Sequence, residues 1–275
     1  MIPIPPSVLC FATTDPTGGG GLQADVLTIA SMGCHPLAVV CAVAVRDTRG
    51  VEEVVALDPD TVADQARAVL EDVPVRAFKL GMVGSVENLA AIAEVLSDYP
   101  EVPLIVEASL FQRGQDDSEA EAYVEALVEL AVPQATVLVA GRHDIARLDD
   151  CRDEDDRSGG DSDESVARLL GLGVDYVLVT GAAEPGAKVI NVLFGAQGRI
   201  RTDTWERLPG RFLGARATLS SALAAALAHG MDVREAVREA QEFTCQALTG
   251  AYRPGMGLAV PDRLFWARDE GGVDD

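Results

Sequence analysis

The sequence predicts an α/β domain in which helices cover a mostly parallel sheet. Apolar runs of strand length alternate with segments of helical period along most of the chain. Several of those runs are continuously apolar, as in strands buried on both faces. With 275 residues, 48% of them hydrophobic, the chain is long enough to bury a sizeable core. No linker-like stretch divides it, so residues 1–275 read as one domain.

Residues 7–13 form the first apolar run and lead into four consecutive glycines. Leu22, Val26 and Ile29 then share a helix face that ends near Gly33, completing a βα unit. Residues 36–45 and 51–57 read as strands, and Pro59 opens a helix with Val62, Ala66 and Val69 on one face. A strand at 77–80 precedes a helix at 85–98 whose Val86, Leu89, Ile92 and Leu96 point inward. Strand 103–107, helix 119–132 and strand 135–140 continue the alternation. Residues 149–165, DDCRDEDDRSGGDSDES, carry no apolar period and read as a solvated acidic loop that covers a site or only solubilises the surface. Helix 166–170, strands 176–180 and 189–194, and helices 217–229 and 233–249 complete the body.

Charge narrows the partners. With 44 acidic against 22 basic side chains the formal net charge is -22, which repels nucleic acid and anionic membranes. Lys79 and Lys188 are the only lysines, a pattern that resembles proteins of salt-loving organisms; a GC-rich genome with an ordinary acidic surface accounts for it equally well. Under the salt-adapted reading, the melting temperature rises from low to molar salt as counterions screen self-repulsion, and a flat profile removes that reading. Five scattered cysteines without a C-x-x-C pair point to reduced thiols and a cytoplasmic protein. The first residues lack a basic region followed by a long apolar one, and no apolar run is long enough to span a bilayer.

Three histidines without ligand spacing, and no G-x-S-x-G, give no support to a zinc enzyme or a triad hydrolase. Neither lysine sits in a Walker A context, and the contiguous glycines are not a G-x-G-x-x-G fingerprint. The loop DPTGGGGLQAD at 15–25 nevertheless puts bare backbone between a strand and a helix, where a small ligand can approach closely. Asp25 in the first turns of that helix either binds a ligand hydroxyl or amine, or complements the helix dipole.

Three stretches in order, DPTGGGGLQAD at 15–25, KLGM at 79–82 and LGARATLSSALAAALAHG at 213–230, resemble landmarks of the hydroxymethylpyrimidine and phosphomethylpyrimidine kinases of thiamine biosynthesis. The likeness covers nearly the whole chain. It implies a three-layer α/β/α ribokinase-like fold and transfer of the γ-phosphoryl of ATP, with Mg²⁺, to a pyrimidine hydroxymethyl group or its phosphate. By the same resemblance Thr13, Asp15, Gly19, Asp25, Arg46 and Met82 fall at substrate-side positions, Thr180, Gly181 and Thr218 at nucleotide-side positions, and Lys79 at a catalytic one. Glu107 and Asp144 stand where that family keeps acids near Mg²⁺ and phosphate, and relatives of this architecture often form homodimers.

The chain departs from the family pattern at these two acidic positions, where Glu107-Ala108 stands for Asp-Pro and Gly141-Arg142-His143-Asp144 for N-x-x-E, and at four further places. The glycine-rich anion-hole motif, G-T-G-C or G-S-G-C, here reads Gly214, Ala215, Arg216, Ala217, so the catalytic Cys is Ala and the second Gly is Arg. Arg216 must swing away or fill the phosphoryl's space, unless its guanidinium binds the phosphate itself. Arg46 replaces a pyrimidine-recognising Gln, Thr13 replaces a glycine, and the nucleotide-side T/K-G-G-H becomes Thr180, Gly181, Ala182, Ala183. Two main readings follow: a working kinase, or a degenerate member that binds a small anionic ligand or a partner without turnover. A kinase shifted to a pyridoxal-like or carboxylated substrate held by Arg46 is a third.

Overall fold

In a computed structural model of the protein, residues 4–110, 117–150, 162–181 and 185–268 are described. The strands are β1 (Ser7–Thr14), β2 (His35–Arg46), β3 (Val51–Ala56), β4 (Val75–Leu80), β5 (Leu104–Glu107), β6 (Val137–Gly141), β7 (Tyr176–Thr180), β8 (Lys188–Gly195) and β9 (Gly198–Glu206). They form one sheet in the order β3-β2-β1-β4-β5-β6-β7-β8-β9. The six central strands pair in parallel, and β3, β8 and β9 join the edges antiparallel.

The period-two alternation of side chains sends residues of one strand into two separate cores. Leu9, Phe11, Phe78 and Leu80 face helices α2 (Pro59–Asp72), α3 (Val86–Ser97), α4 (Asp117–Ala126), α5 (Arg142–Asp150) and α6 (Ser162–Leu170). Val8, Cys10, Ala12 and Ala77 face α1 (Gly21–Ser31), α7 (Ala215–Ala228) and α8 (Val233–Thr249). The result is the expected three-layer α/β/α sandwich. Helix starts follow local chemistry: Asp58 caps α2 ahead of Pro59, Ser85 caps α3 and Asp232 caps α8. Helix α7 is alanine-rich, and Ala222, Ala224, Ala225 and Ala226 are wholly buried, so the helix lies close against the sheet.

The structure corrects several sequence expectations. The acidic stretch at 149–165 is helical at both ends, since α5 runs through Asp150 and α6 starts at Ser162, while residues 151–161, Cys151 included, lie outside the described residues. Ile145 and Leu148 are the only buried side chains of α5, too few to show a period. Strand β9 was not expected, because Arg199, Arg201, Asp203 and Glu206 interrupt its apolar residues and give it the polar pattern of an edge strand. The helix expected at 119–132 passes from α4 into a π turn at Leu127–Ala131 and a 3-10 turn at Val132–Gln134, where Pro133 removes a donor.

Candidate functional site

The parallel strands β1 and β4 to β7 end on one edge of the sheet, and α7 begins there. Gly214 caps α7 in the left-handed region at φ 76°, with no side-chain cap. A Cβ on Gly214 would lie 1.7 Å from the Gly19 carbonyl oxygen, so only glycine fits where the two loops meet. The Thr218 amide donates to the Gly214 carbonyl at 2.9 Å, which starts the helical ladder. The amides of Ala215, Arg216 and Ala217 precede that ladder, and the positive end of the helix dipole adds to them. They border a cavity of about 550 Å³ whose walls include Glu107, Thr180, Trp205, Arg216 and Ala217.

The glycine-rich loop is organised by Asp15. Its Oδ1 accepts from the Thr17 amide at 2.9 Å and the Thr17 hydroxyl at 2.6 Å, and Oδ2 accepts from the Gly20 amide at 2.8 Å. Arg46 lies against the same carboxylate at 3.3 Å. Gly21, at φ 54°, passes so near the Thr13 carbonyl that a Cβ would meet it at 2.2 Å. Thr13 donates from both its amide and its hydroxyl to the Met82 carbonyl at 2.7 Å. A second cavity of about 390 Å³ lies over this loop, lined by Thr17, Arg46, Arg49 and Met256.

Arg263 joins the loop to the helix. The buried guanidinium donates to the carbonyls of Gly18 at 3.0 Å and Gly19 at 2.7 Å, and to the Thr218 hydroxyl at 3.0 Å. Burial pushes its pKa down to about 10, against the pull of Asp25. Replacing Arg263 with Met leaves those buried acceptors without a donor, so an unfolding free energy lower by at least about 2 kcal/mol, read as a lower midpoint, is expected in a denaturant titration. An unchanged midpoint would show that the clamp contributes nothing.

Beneath the cavity floor runs a chain of buried charge. Lys79 lies 3.0 Å from Asp25 and 2.8 Å from Glu107. Ser221 donates to Asp25 at 2.7 Å, while Ser220 and Ser109 donate to Glu107 at 3.1 and 3.0 Å. Burial raises the Asp25 carboxyl above its usual value even beside Lys79. At Glu107 burial also pushes upward, but the Lys79 charge and hydrogen bond outweigh it and the carboxyl ends below its usual value. Burial opposes the Lys79 charge, and the two carboxylates overcome it and hold the ammonium above its ordinary range.

Arg216 swings away from the helix amides. Its guanidinium reaches across the ends of β5 and β6 to donate to the Ala108 carbonyl and to lie 2.7 Å from Asp144 Oδ2. The same Asp144 oxygen accepts from the Gly141 amide at 3.0 Å. Both acids expected near Mg²⁺ therefore already hold a cation, Lys79 on Glu107 and Arg216 on Asp144. Among the described residues no three His, Cys, Asp or Glu side chains are grouped to hold a metal ion. These side chains do not fit a protein-held Mg²⁺.

Of the residues expected from sequence, Gly214, Arg216, Ala217, Thr180 and Glu107 border the large cavity, and Arg46 borders the second. Lys79, Asp25, Thr13 and Thr218 are buried within the surrounding framework, and Asp15 and Gly19 shape the loop. Sequence reasoning missed Arg263 and the polar wall opposite α7. In that wall the Gly181 amide donates to Asn191 Oδ1 at 2.9 Å, Asn191 Nδ2 to Gln241 Oε1 at 2.8 Å and Trp205 Nε1 to the same Gln241 oxygen at 2.9 Å. An Asn inside the apolar run at 189–194 and a Gln on the helix face of Val237 were the available signals.

Comparison with known proteins decides the relationship. The phosphomethylpyrimidine kinase family matches residues 15–261. The chain belongs to that family. It is 32% identical to the hydroxymethylpyrimidine/phosphomethylpyrimidine kinase of Streptomyces coelicolor over 270 residues, 97% of each chain. It is 33% identical to the enzyme of that name from Mycobacterium bovis over 267 residues, 95% of this chain and 94% of the relative. Among solved structures, an ADP complex of Bacillus subtilis pyridoxal kinase superimposes with a TM-score of 0.85 at 23% identity, covering 96% of this chain and 99% of that one. The phosphomethylpyrimidine kinase of Clostridium difficile gives a TM-score of 0.72 at 26% identity, covering 90% of this chain and 100% of that one. These neighbours establish a ribokinase-like fold.

Proposed function

We propose that this family member is a working ATP-dependent kinase of thiamine biosynthesis, which phosphorylates hydroxymethylpyrimidine and its monophosphate. The observation that carries this reading is the position of Arg216: it is folded onto Asp144 and Ala108, so the amides at the start of α7 stay open to the cavity. A degenerate binding protein is the less favoured reading, because the replaced glycine does not block the anion site.

The chain's residues act by positioning and charge. The amides of Ala215, Arg216 and Ala217 receive the transferred phosphoryl, and the Asp15 and Arg263 networks hold the glycine loop against them. The substrate hydroxyl oxygen forms a bond to the γ-phosphorus as the bond to the β-bridging oxygen breaks, and ADP leaves with that electron pair. Ala217 has no group to accept the hydroxyl proton, which passes to solvent or to the transferred phosphate. A loose transition state tolerates this, since the hydroxyl loses its proton late. Losing the base slows turnover by about two to four orders of magnitude without abolishing it.

We place the substrate beside Arg46 and Thr17, in the second cavity. Free thiols at Cys10, Cys34, Cys41 and Cys245 support a cytoplasmic setting, and no helix among the described residues is long and apolar enough to cross a membrane. The exposed Val43, Val45 and Val55 on the β2–β3 hairpin support pairing as a homodimer. The deciding assay is ADP formation from ATP and Mg²⁺ with hydroxymethylpyrimidine, its monophosphate or pyridoxal, in low and molar salt. Pyrimidine-dependent ADP is expected. Turnover with pyridoxal alone would reassign the substrate, and no ADP from folded, nucleotide-bound protein would overturn the kinase reading.

A further inference from the structure

Arg216 is the first candidate, because neither the first turn of a helix, where the dipole favours anions, nor the family motif calls for a guanidinium here. Its side chain is one-third exposed, lines the large cavity and spans two strand ends. A guanidinium has five N–H donors. Ala108 O and Asp144 engage two of them, and the others have no protein acceptor among the described residues. Asp144 is itself fixed by the Gly141 amide at 3.0 Å. A Cβ on Gly141 would come within 3.2 Å of Arg216 Nη2, so the cation has a fitted seat rather than a loose surface position. Glu107 stands beside it with Oε2 occupied by Lys79 and Ser220 and Oε1 by Ser109.

We infer that Arg216 is the resident cation of the anion site: seated on Asp144 and Ala108, it presents its remaining N–H groups to the phosphate held by the α7 amides, where a side-chain-bound divalent ion is excluded. Planar, delocalised and always charged, a guanidinium suits a tetrahedral oxyanion in a confined site. The ligand class is a polyphosphate or phosphoryl group, and the kinase reading supplies only its identity as the ATP terminus. The seat also accounts for two departures together. A cation in place of the second glycine accompanies a small Ala217, which leaves the space above the amides clear.

The test needs no turnover, so it can succeed or fail independently of the kinase reading. Inorganic tripolyphosphate is titrated into the wild-type protein, Arg216→Met and Arg216→Gly in the presence of EDTA, with binding read by calorimetry and folding by thermal melting. Binding by the wild type, weakened about tenfold or more in both variants, is the expected result for a lost charge-assisted contact. In parallel, Mn²⁺ added to the nucleotide-free wild type is followed by water-proton relaxation, and no bound ion is expected. Equal tripolyphosphate affinity in all three folded proteins would overturn the inference, as would Mn²⁺ binding by the wild type.

Discussion

Replacing Lys79 with Met lowers stability by about 3–5 kcal/mol at neutral pH, the cost of leaving buried carboxylates without their counter-ion. Lys79 is 1% exposed and is the shared partner of Asp25 and Glu107, which are 0% and 8% exposed. The three serine hydroxyls that remain supply hydrogen bonds and no charge. For a chain of this size the melting temperature falls by roughly 10 °C. The loss depends on pH in a fixed direction. Asp25 already has a folded pKa above its unfolded value, so its contribution is fully present below the unfolded pKa and is lost as pH rises through the folded one. Removing Lys79 takes away the charge that restrains that rise. Glu107 in the wild type runs the other way, stabilising above its unfolded pKa and losing that contribution as pH falls through its lowered folded value. The variant forfeits this second contribution, so its deficit is largest near neutrality and shrinks as pH falls below about 4, the ordinary carboxylate range. A variant within about 1 kcal/mol of wild type at neutral pH would contradict the buried ion chain.

Gly214→Ala has the largest effect on turnover. The residue sits at φ 76°, and its new Cβ would lie 1.7 Å from the Gly19 carbonyl oxygen, a backbone atom that cannot rotate aside. The glycine loop and the first turn of α7 must separate, moving the amides proposed to receive the phosphoryl. Losing an aligned oxyanion donor costs about two to three orders of magnitude in rate. Backbone strain adds about 1–3 kcal/mol to the stability cost. Gly198 is the matched control: it has φ 93° with nothing within 4 Å of a Cβ, so Gly198→Ala carries the strain without the collision. Near-equal activity of the two variants would show that the loop contact does not position the site.

The parallel core was legible because its strands are apolar on both faces and the helices between them keep a 3.6-residue period. Glycines 18–21 were legible as a place where backbone must come close and Gly214 through its resemblance to the anion-hole motif, and the structure brings the two together at Gly19 and Gly214. What escaped is long-range. Arg263 lies 244 residues from the Gly19 carbonyl it holds, and Arg216 lies 108 residues from the Ala108 carbonyl it contacts. No local period encodes such pairs. The sequence presented Arg216 as swinging away, blocking or binding, and only the placement of Asp144 beside the end of β6 separates the first from the second. Strand β9 and helix α5 were hidden for a related reason, since their charged faces carry too little apolar pattern to announce an element.

The first turn of α7 is proposed to remain a phosphoryl site although the family's Cys and second Gly are gone. A crystal structure of the complex with ADP tests it most directly. The β-phosphate oxygens are expected within hydrogen-bonding distance of the Ala215, Arg216 and Ala217 amides, with the Arg216 guanidinium still seated on Asp144. Nucleotide bound away from α7, or Arg216 turned inward over those amides, would contradict the account.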